Sequence, residues 1–364
     1  MTRAAVLREF NAPFVVQEVD FVPPTANRLL IRTGAAPFCI TDILSVEGKL
    51  GKNPPSILGH SAMGIVEEVG PGVTRFSVGQ RVVVPGTPEC GNCYYCLAGR
   101  PDQCSELFDQ PTGYLKVAAG SDGVPIEGAG NVAGYAELMN VSQNQIWSLE
   151  TDLSVEVLSM FGCGITTGLG AVLNTAKVQQ HDSVVVVGAG QLGLWAVQGA
   201  RLAGANPIIV IEPLDSRHEL AGRLGATHVL NPDKDDVISI VKALTGGRGA
   251  DHVIEAAGPA VAQELSVSLS RRAGTIVLTG VKQLGTTVEL NQIAIAPGGR
   301  QILGCQNGNV RMGRDIPRFA RLIEEGKLDA ESIISRRYAL SEINEAMANS
   351  GNHQDLCGII IPSQ

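Results

Sequence analysis

The chain is predicted to fold as two domains, one a doubly wound parallel α/β sheet and the other a mostly antiparallel β structure. Three observations carry this. At 364 residues the chain exceeds the roughly 250–300 residues at which a single hydrophobic core stops growing. Residues 1 to about 150 are rich in valine, glycine and proline with short apolar runs, whereas from about residue 153 strand-length and helix-length segments alternate, the rhythm of a parallel sheet covered by helices. At the head of the alternating part, residues 183–193 read SVVVVGAGQLG, a β-branched run broken by glycines.

That run predicts a buried parallel strand feeding a helix. Gly188, Gly190 and Gly193, with Gln191 and Leu192 between the last two, make G-x-G-x-x-G; only glycine lets a backbone turn this tightly and approach a phosphate closely, and the helix that follows aims its free N–H groups at a pyrophosphate. The next strand, 207–211, ends at Glu212, where a dinucleotide site places the acid that accepts from the ribose hydroxyls. A carboxylate there repels a 2′-phosphate, so NAD is expected over NADP, with Arg217 the group that would meet such a phosphate.

The remaining elements follow in order. Strands are expected at 28–33, 64–69 and 81–84 in the first domain. A helix is expected over 155–173, then strands at 183–187, 208–212, 228–230, 251–255 and 274–278, with a helix at 216–224. After residue 300 come a strand-like QILGCQ, helices near 314–325 and 341–349, and a final GIII. The glycine-rich segment 109–131 reads as a long surface loop.

Composition narrows the function. With 44% hydrophobic and 18% charged residues the chain has the makeup of a well-packed globular protein, and its net charge of −8 argues against nucleic-acid and anionic-membrane partners. The charged N-terminus MTRAAVLREF is no secretory signal, and no apolar run reaches the roughly 18 residues of a membrane helix; a cytoplasmic protein is expected. Eight cysteines are too few for a disulfide scaffold, and four of them, Cys90, Cys93, Cys96 and Cys104, crowd one loop as C-x2-C-x2-C-x7-C. Four thiolates at this spacing close a tetrahedral zinc shell with no open position, a structural site; a four-cysteine iron–sulfur cluster is the alternative. Cys39, His60 and Cys163 are scattered. Each alone reads as a core cysteine or a turn histidine, and together they could supply the three ligands of an open zinc site; spacing does not decide.

The cysteine loop, GHSAMG at 59–64, CITD at 39–42 and VGAGQLG at 187–193 together resemble the zinc-dependent medium-chain dehydrogenase/reductase family, to which alcohol dehydrogenases belong. The resemblance implies a GroES-like catalytic domain over 1–152 with the structural zinc loop 90–104, a dinucleotide-binding Rossmann domain over 153–300, and a return of 301–364 to the catalytic domain. It implies two zinc ions per chain, the catalytic one on Cys39, His60 and Cys163. Thr41 matches the hydroxyl that relays the substrate proton, and Asp42 the acid that orients the ligand histidine. Glu212 matches the ribose acid, while Thr167, Gly258, Thr279 and Gly280 match residues bordering the cofactor. The implied reaction is reversible hydride transfer between a small primary or secondary alcohol, its aldehyde or ketone, and NAD, in a homodimer or homotetramer. Three positions depart from the family pattern: Ser61 stands where glutamate is usual, Leu44 where some members have a relay histidine, and DLCGIII where several carry a basic residue facing the pyrophosphate. Alternatives within the fold are reduction of a conjugated C=C bond and oxidation of a thiol adduct of formaldehyde; outside enzymology, a nucleotide-binding redox sensor.

Overall fold

The computed structural model describes residues 2–50, 53–109, 116–128 and 131–363. They group into two compact units: Met1–Cys163 with Arg311–Glu325 and Ala330–Gln364, and Gly164–Val310 with Gly326–Asp329.

The first unit is β-rich. Thr2–Leu7, Val15–Phe21, Lys116–Gly120, Pro125–Gly128 and Ser56–Ile57 close a barrel. Beside it runs a sheet in the order Trp147–Ser148, Arg81–Val84, Ala62–Val69, Arg28–Pro37, Gly358–Ile361 and Arg336–Ala339, with Leu138–Ser142 also paired to Arg28–Pro37. The expected strands at 28–33, 64–69 and 81–84 are its centre. The closing GIII pairs antiparallel with residues 36 and 37, so the chain's last strand lies directly before Cys39. One apolar core, from Ala4 and Leu7 through Ile31, Val84 and Tyr135 to Ile360, fills the unit.

The second unit is a six-stranded sheet, ordered His228–Leu230, Ile208–Ile211, Val184–Val187, Ala250–Glu255, Ser270–Leu278, Gln301–Gly304, with every pair parallel. All four valines of Val184–Val187 are buried, as a strand covered on both faces requires. The strand order reverses between Val184–Val187 and Ala250–Glu255, and the crevice at such a reversal is where open α/β sheets take their ligands. Gly188 turns out of the strand at φ +96°. A Cβ on Gly193 would lie 1.9 Å from the Gly188 carbonyl oxygen, so helix Gln191–Ala203 can start only with glycine at both positions.

Several expectations are corrected. The segment 109–131 is not one loop: Lys116–Gly120 and Pro125–Gly128 close the barrel, with Val117, Ala118 and Ile126 buried, because short runs such as VAA carry too few residues to show a strand period. Its residues 110–115 and 129–130 lie outside the described residues. The helix expected over 155–173 is broken into Val155–Ser159, a 3-10 turn Met160–Gly162, Gly164–Gly170 and a π-helical stretch Ala171–Ala176. Cys163, at φ −149° and ψ −73°, leaves the helix altogether. The contacts divide the chain after Cys163, Val310, Glu325 and Asp329. Residues 155–159 pack on the strands of the first unit, and Gln301–Gly304 completes the parallel sheet of the second. Among the described residues no single helix is long and apolar enough to cross a membrane.

Candidate functional site

Cys39, His60 and Cys163 come from three distant segments, and their ligand atoms lie within 4.8 Å of one another. Cys39 lies two residues beyond strand Arg28–Pro37 and caps the N-terminus of helix Ile40–Val46. His60 follows Gly59, whose φ of +87° turns the chain; Cys163 follows the 3-10 turn. Two sulfurs and one imidazole form a donor set suited to zinc with one position left open, so the residues present fit that metal. Asp42 lies one turn into the helix and is buried. Its Oδ1 is 3.3 Å from His60 Nδ1 and accepts the Gly59 N–H at 3.3 Å; its Oδ2 accepts the Cys39 N–H at 3.2 Å and the Tyr135 hydroxyl at 2.8 Å. His60 Nδ1 thereby faces the carboxylate and leaves Nε2 toward the cysteines. Thr41 Oγ1 is 3.4 Å from that Nε2.

Charge follows this geometry. A hydrogen bond from the Cys163 thiol holds Cys39 well below its ordinary value, with His60 helping against burial, and the same bond, with burial, pushes Cys163 well up. Burial disfavours charge on His60, yet Asp42 and Cys39 outweigh it and raise the imidazole to about 10. A metal bound here would take the place of the protons that the two cysteines and His60 share.

The positions that depart from the family pattern have structural roles. Ser61 is buried and donates to the Ser159 carbonyl at 2.6 Å, bracing the turn that delivers Cys163. Leu44 is buried in its helix. Cys357 is buried against Met160, 4.0 Å away, and offers no charge to a phosphate. Tyr135 escaped the sequence reading, since nothing in NVAGYAELM marks a tyrosine aimed at Asp42.

The loop cysteines also converge, with Cys90, Cys93, Cys96 and Cys104 ligand atoms within 4.8 Å of one another. The Cys93 N–H points at Cys90 Sγ (3.4 Å) and the Cys96 N–H at Cys93 Sγ (3.5 Å). A hydrogen bond from the Ser105 backbone leads those that bring Cys93 down to about 6, while burial pushes Cys96 up to about 11. Four sulfurs sharing protons this way are a set that one soft cation would satisfy.

In the second unit Gly188, Glu212, Gly258, Thr279 and Gly280 follow the C-terminal ends of the central strands, and Thr167 lies in helix Gly164–Gly170. A Cβ on Gly190 would meet nothing within 4 Å, leaving open space above the helix start where a pyrophosphate would lie. Glu212 is buried at the end of Ile208–Ile211; its carboxylate accepts the N–H groups of Ala189 (2.6 Å) and Leu214 (2.9 Å), and Arg217 stands 3.8 Å away. Gln191 and Leu192 are half-buried in the first turn, with the Gln191 side chain laid over Gly164 and its Nε2 buried without a partner. Thr167 is buried, with Oγ1 3.5 Å from Asn307 Oδ1. Gly258, at φ +94°, packs against Gly280, and Thr279 Oγ1 donates to the Glu255 carbonyl at 2.7 Å. Glu255 itself was missed. Its Oε1 accepts the N–H groups of Ala257 and Gly258 at 2.8 and 2.6 Å, while Oε2 is buried without a hydrogen-bond partner; burial raises its pKa. An acid closing strand 251–255 before a glycine turn was the signal available.

Comparison with known proteins agrees with both halves. Residues 25–151 match the alcohol dehydrogenase GroES-like domain and residues 192–325 the zinc-binding dehydrogenase family. The chain is 30% identical over 370 residues to the NDMA-dependent alcohol dehydrogenase of Amycolatopsis methanolica, covering 100% of this chain and 99% of that one. It is 32% identical to the S-(hydroxymethyl)glutathione dehydrogenase of Escherichia coli O1:K1, covering 95% of each. The crystal structure of benzyl alcohol dehydrogenase from Acinetobacter calcoaceticus superposes with a TM-score of 0.91 at 33% identity, over 99% of both chains.

Proposed function

Because the chain belongs to the zinc-dependent medium-chain dehydrogenase/reductase family and is an oxidoreductase acting on alcohols, we propose that it interconverts a primary or secondary alcohol and its aldehyde or ketone. In this reading Cys39, His60 and Cys163 hold the catalytic zinc, Cys90, Cys93, Cys96 and Cys104 hold a structural one, and NAD takes the hydride. The observation that carries it is the convergence of two cysteines and a carboxylate-braced histidine within 4.8 Å, with a hydroxyl beside them.

Zinc bound there supplies Lewis acidity to the substrate oxygen, and the nicotinamide supplies the hydride acceptor. The chain's own residues do the rest. Asp42 holds His60 Nδ1–H, fixing the ring so that Nε2 is the ligand atom. Thr41, 3.4 Å from that nitrogen, is the hydroxyl that receives the substrate proton. Leu44 is apolar and Ser61 is committed to Ser159, so neither carries the proton onward; from Thr41 it passes to solvent or to a cofactor hydroxyl. Gly190 leaves room for the pyrophosphate, and Glu212 accepts from the adenosine ribose. The Glu212 carboxylate also supports NAD over NADP, since Arg217 is drawn to it rather than left for a 2′-phosphate.

The reading extends to assembly and location. Gln301–Gly304 ends its sheet with one side unpaired among the described residues, a surface for a homodimer or homotetramer, and eight cysteines with no disulfide among the described residues suit the reducing cytoplasm. The test is zinc per chain together with NAD and NADP turnover on primary, secondary and aromatic alcohols, a conjugated ketone, and formaldehyde with and without glutathione. Two zincs, alcohol oxidation with NAD, and loss of turnover in Cys39→Ser and His60→Ala support the proposal. One zinc with conjugated-ketone reduction replaces it with a C=C reductase; turnover of formaldehyde only with the thiol replaces it with the adduct dehydrogenase.

A further inference from the structure

The Asp42 carboxylate has four donors, and the shortest contact comes from a residue outside both ligand-bearing segments next to it. Tyr135 is wholly buried, and its hydroxyl lies 2.8 Å from Asp42 Oδ2 and 3.3 Å from the Pro37 carbonyl. A phenol has one proton to give, and the nearer, charged acceptor takes it. The ring is fixed on both sides. It stacks on Phe38, the neighbour of Cys39, at 5.4 Å and 6°. It covers Gly59, the neighbour of His60, where a Cβ would come 2.9 Å from Tyr135 Cδ1. Its backbone is tied too, with the N–H donating to the Leu58 carbonyl and the carbonyl accepting from Ala5. One side chain therefore touches the segment before Cys39, the segment before His60, and the acid between them.

We propose that Tyr135 is a positioning residue for the metal centre: through its hydroxyl it anchors Asp42, and through Asp42 it sets the orientation of His60. The proposal rests on Cys39, His60 and Cys163 being the ligands of a zinc ion. With the hydroxyl in place, Oδ2 is held by two donors and Oδ1 faces His60 Nδ1 at 3.3 Å. Without it, a buried carboxylate loses its shortest donor and can turn toward the remaining N–H groups, so the imidazole loses its fixed partner. Outer partners of ligand histidines typically change metal retention 10–100-fold when removed; Tyr135 stands one bond further out, and the lower end applies.

The test uses the full chain with zinc bound, and compares wild type, Tyr135→Phe, Asp42→Asn and the double variant. Phenylalanine keeps the ring on Phe38 and Gly59, so a purely packing role would not register. Transfer of zinc to a chromogenic chelator should show a fast phase from the three-ligand site and a slow one from the cysteine loop. Tyr135→Phe should speed the fast phase by about 10-fold and leave the slow one unchanged. It should also shift the visible absorption of cobalt at the three-ligand site, and add nothing in the Asp42→Asn background. An unchanged fast phase and cobalt spectrum, or an equal acceleration in the Asp42→Asn background, overturns the role of Tyr135 alone. One zinc per chain in wild type overturns the three-ligand reading and this proposal with it.

Discussion

Restoring glutamate at Ser61, where the family usually has it, should damage the protein. Ser61 is 1% exposed, and its hydroxyl donates to the Ser159 carbonyl at 2.6 Å. A Cβ on Gly162 would lie 2.2 Å from that oxygen and 2.9 Å from its Cβ, so no free volume separates Ser61 from the turn presenting Cys163. Ser61→Ala removes one hydrogen bond and leaves the Ser159 carbonyl without it, a cost of about 1–2 kcal/mol. Ser61→Glu adds overpacking of about 1–3 kcal/mol and a buried carboxylate without a cation, several kcal/mol more, relieved only if the 160–163 turn moves. At roughly 2–4 °C per kcal/mol for a domain of this size, Ser61→Ala should lower the Tm of the first unit by a few degrees. Ser61→Glu should lower it by about 10 °C or more and lose zinc from the three-ligand site. Differential scanning calorimetry with zinc per chain decides this. A Ser61→Glu protein that keeps the wild-type Tm and both zincs would refute the packing argument.

Four further outcomes are expected. Replacing Glu212 by Ala removes the carboxylate facing a 2′-phosphate and frees Arg217, so the ratio of kcat/KM with NAD to that with NADP should fall by about 10-fold or more; an unchanged ratio places the discrimination elsewhere. Glu255→Ala strips the Ala257 and Gly258 N–H groups of their acceptor and should raise KM for the dinucleotide more than it lowers kcat, with Glu255→Gln milder; equal effects on every constant would instead mean general unfolding. Burial opposes ionisation of Asp251, but hydrogen bonds from Ser183 and the Arg271 guanidinium bring it down from 3.8 to about 2. A lowered carboxyl pKa stabilises the fold above pH 3.8 and loses that effect as pH falls toward about 2. Urea unfolding of wild type and Asp251→Asn should therefore differ at pH 7 and converge near pH 2; a difference independent of pH contradicts the sign. Cys104→Ser should remove one zinc per chain and lower the Tm while the remaining zinc and its chelator sensitivity persist, and two zincs in that variant would show that Cys104 is not needed to hold the loop metal.

Much of the site was legible because its residues carry chemistry their neighbours do not. Four cysteines within a short loop, and glycines set at 188, 190 and 193 after a valine run, are local patterns: the constraint that selects each residue acts within one turn of chain. The acid Glu212 was legible for the same reason, at the end of a strand a fixed distance on. Glu255 and Tyr135 were not, since a buried acid and a buried tyrosine look like ordinary core residues until their partners 2 and 93 positions away are known. The broken helix at 155–176 was also hidden, because helical periodicity continues through Cys163 while contacts with Ser61 and Val84 bend the backbone there.

The sequence by itself determined the two-part architecture, the parallel sheet, the glycine turn and the existence of a four-cysteine loop, since each is written in spacing over a few residues. Tertiary structure decided that Cys39, His60 and Cys163 meet, that Asp42 and Tyr135 brace them, and that the last strand Gly358–Ile361 pairs beside Cys39. Those outcomes depend on contacts between segments up to more than 300 residues apart, and periodicity in a sequence reports only which face of an element is buried, never which distant element covers it.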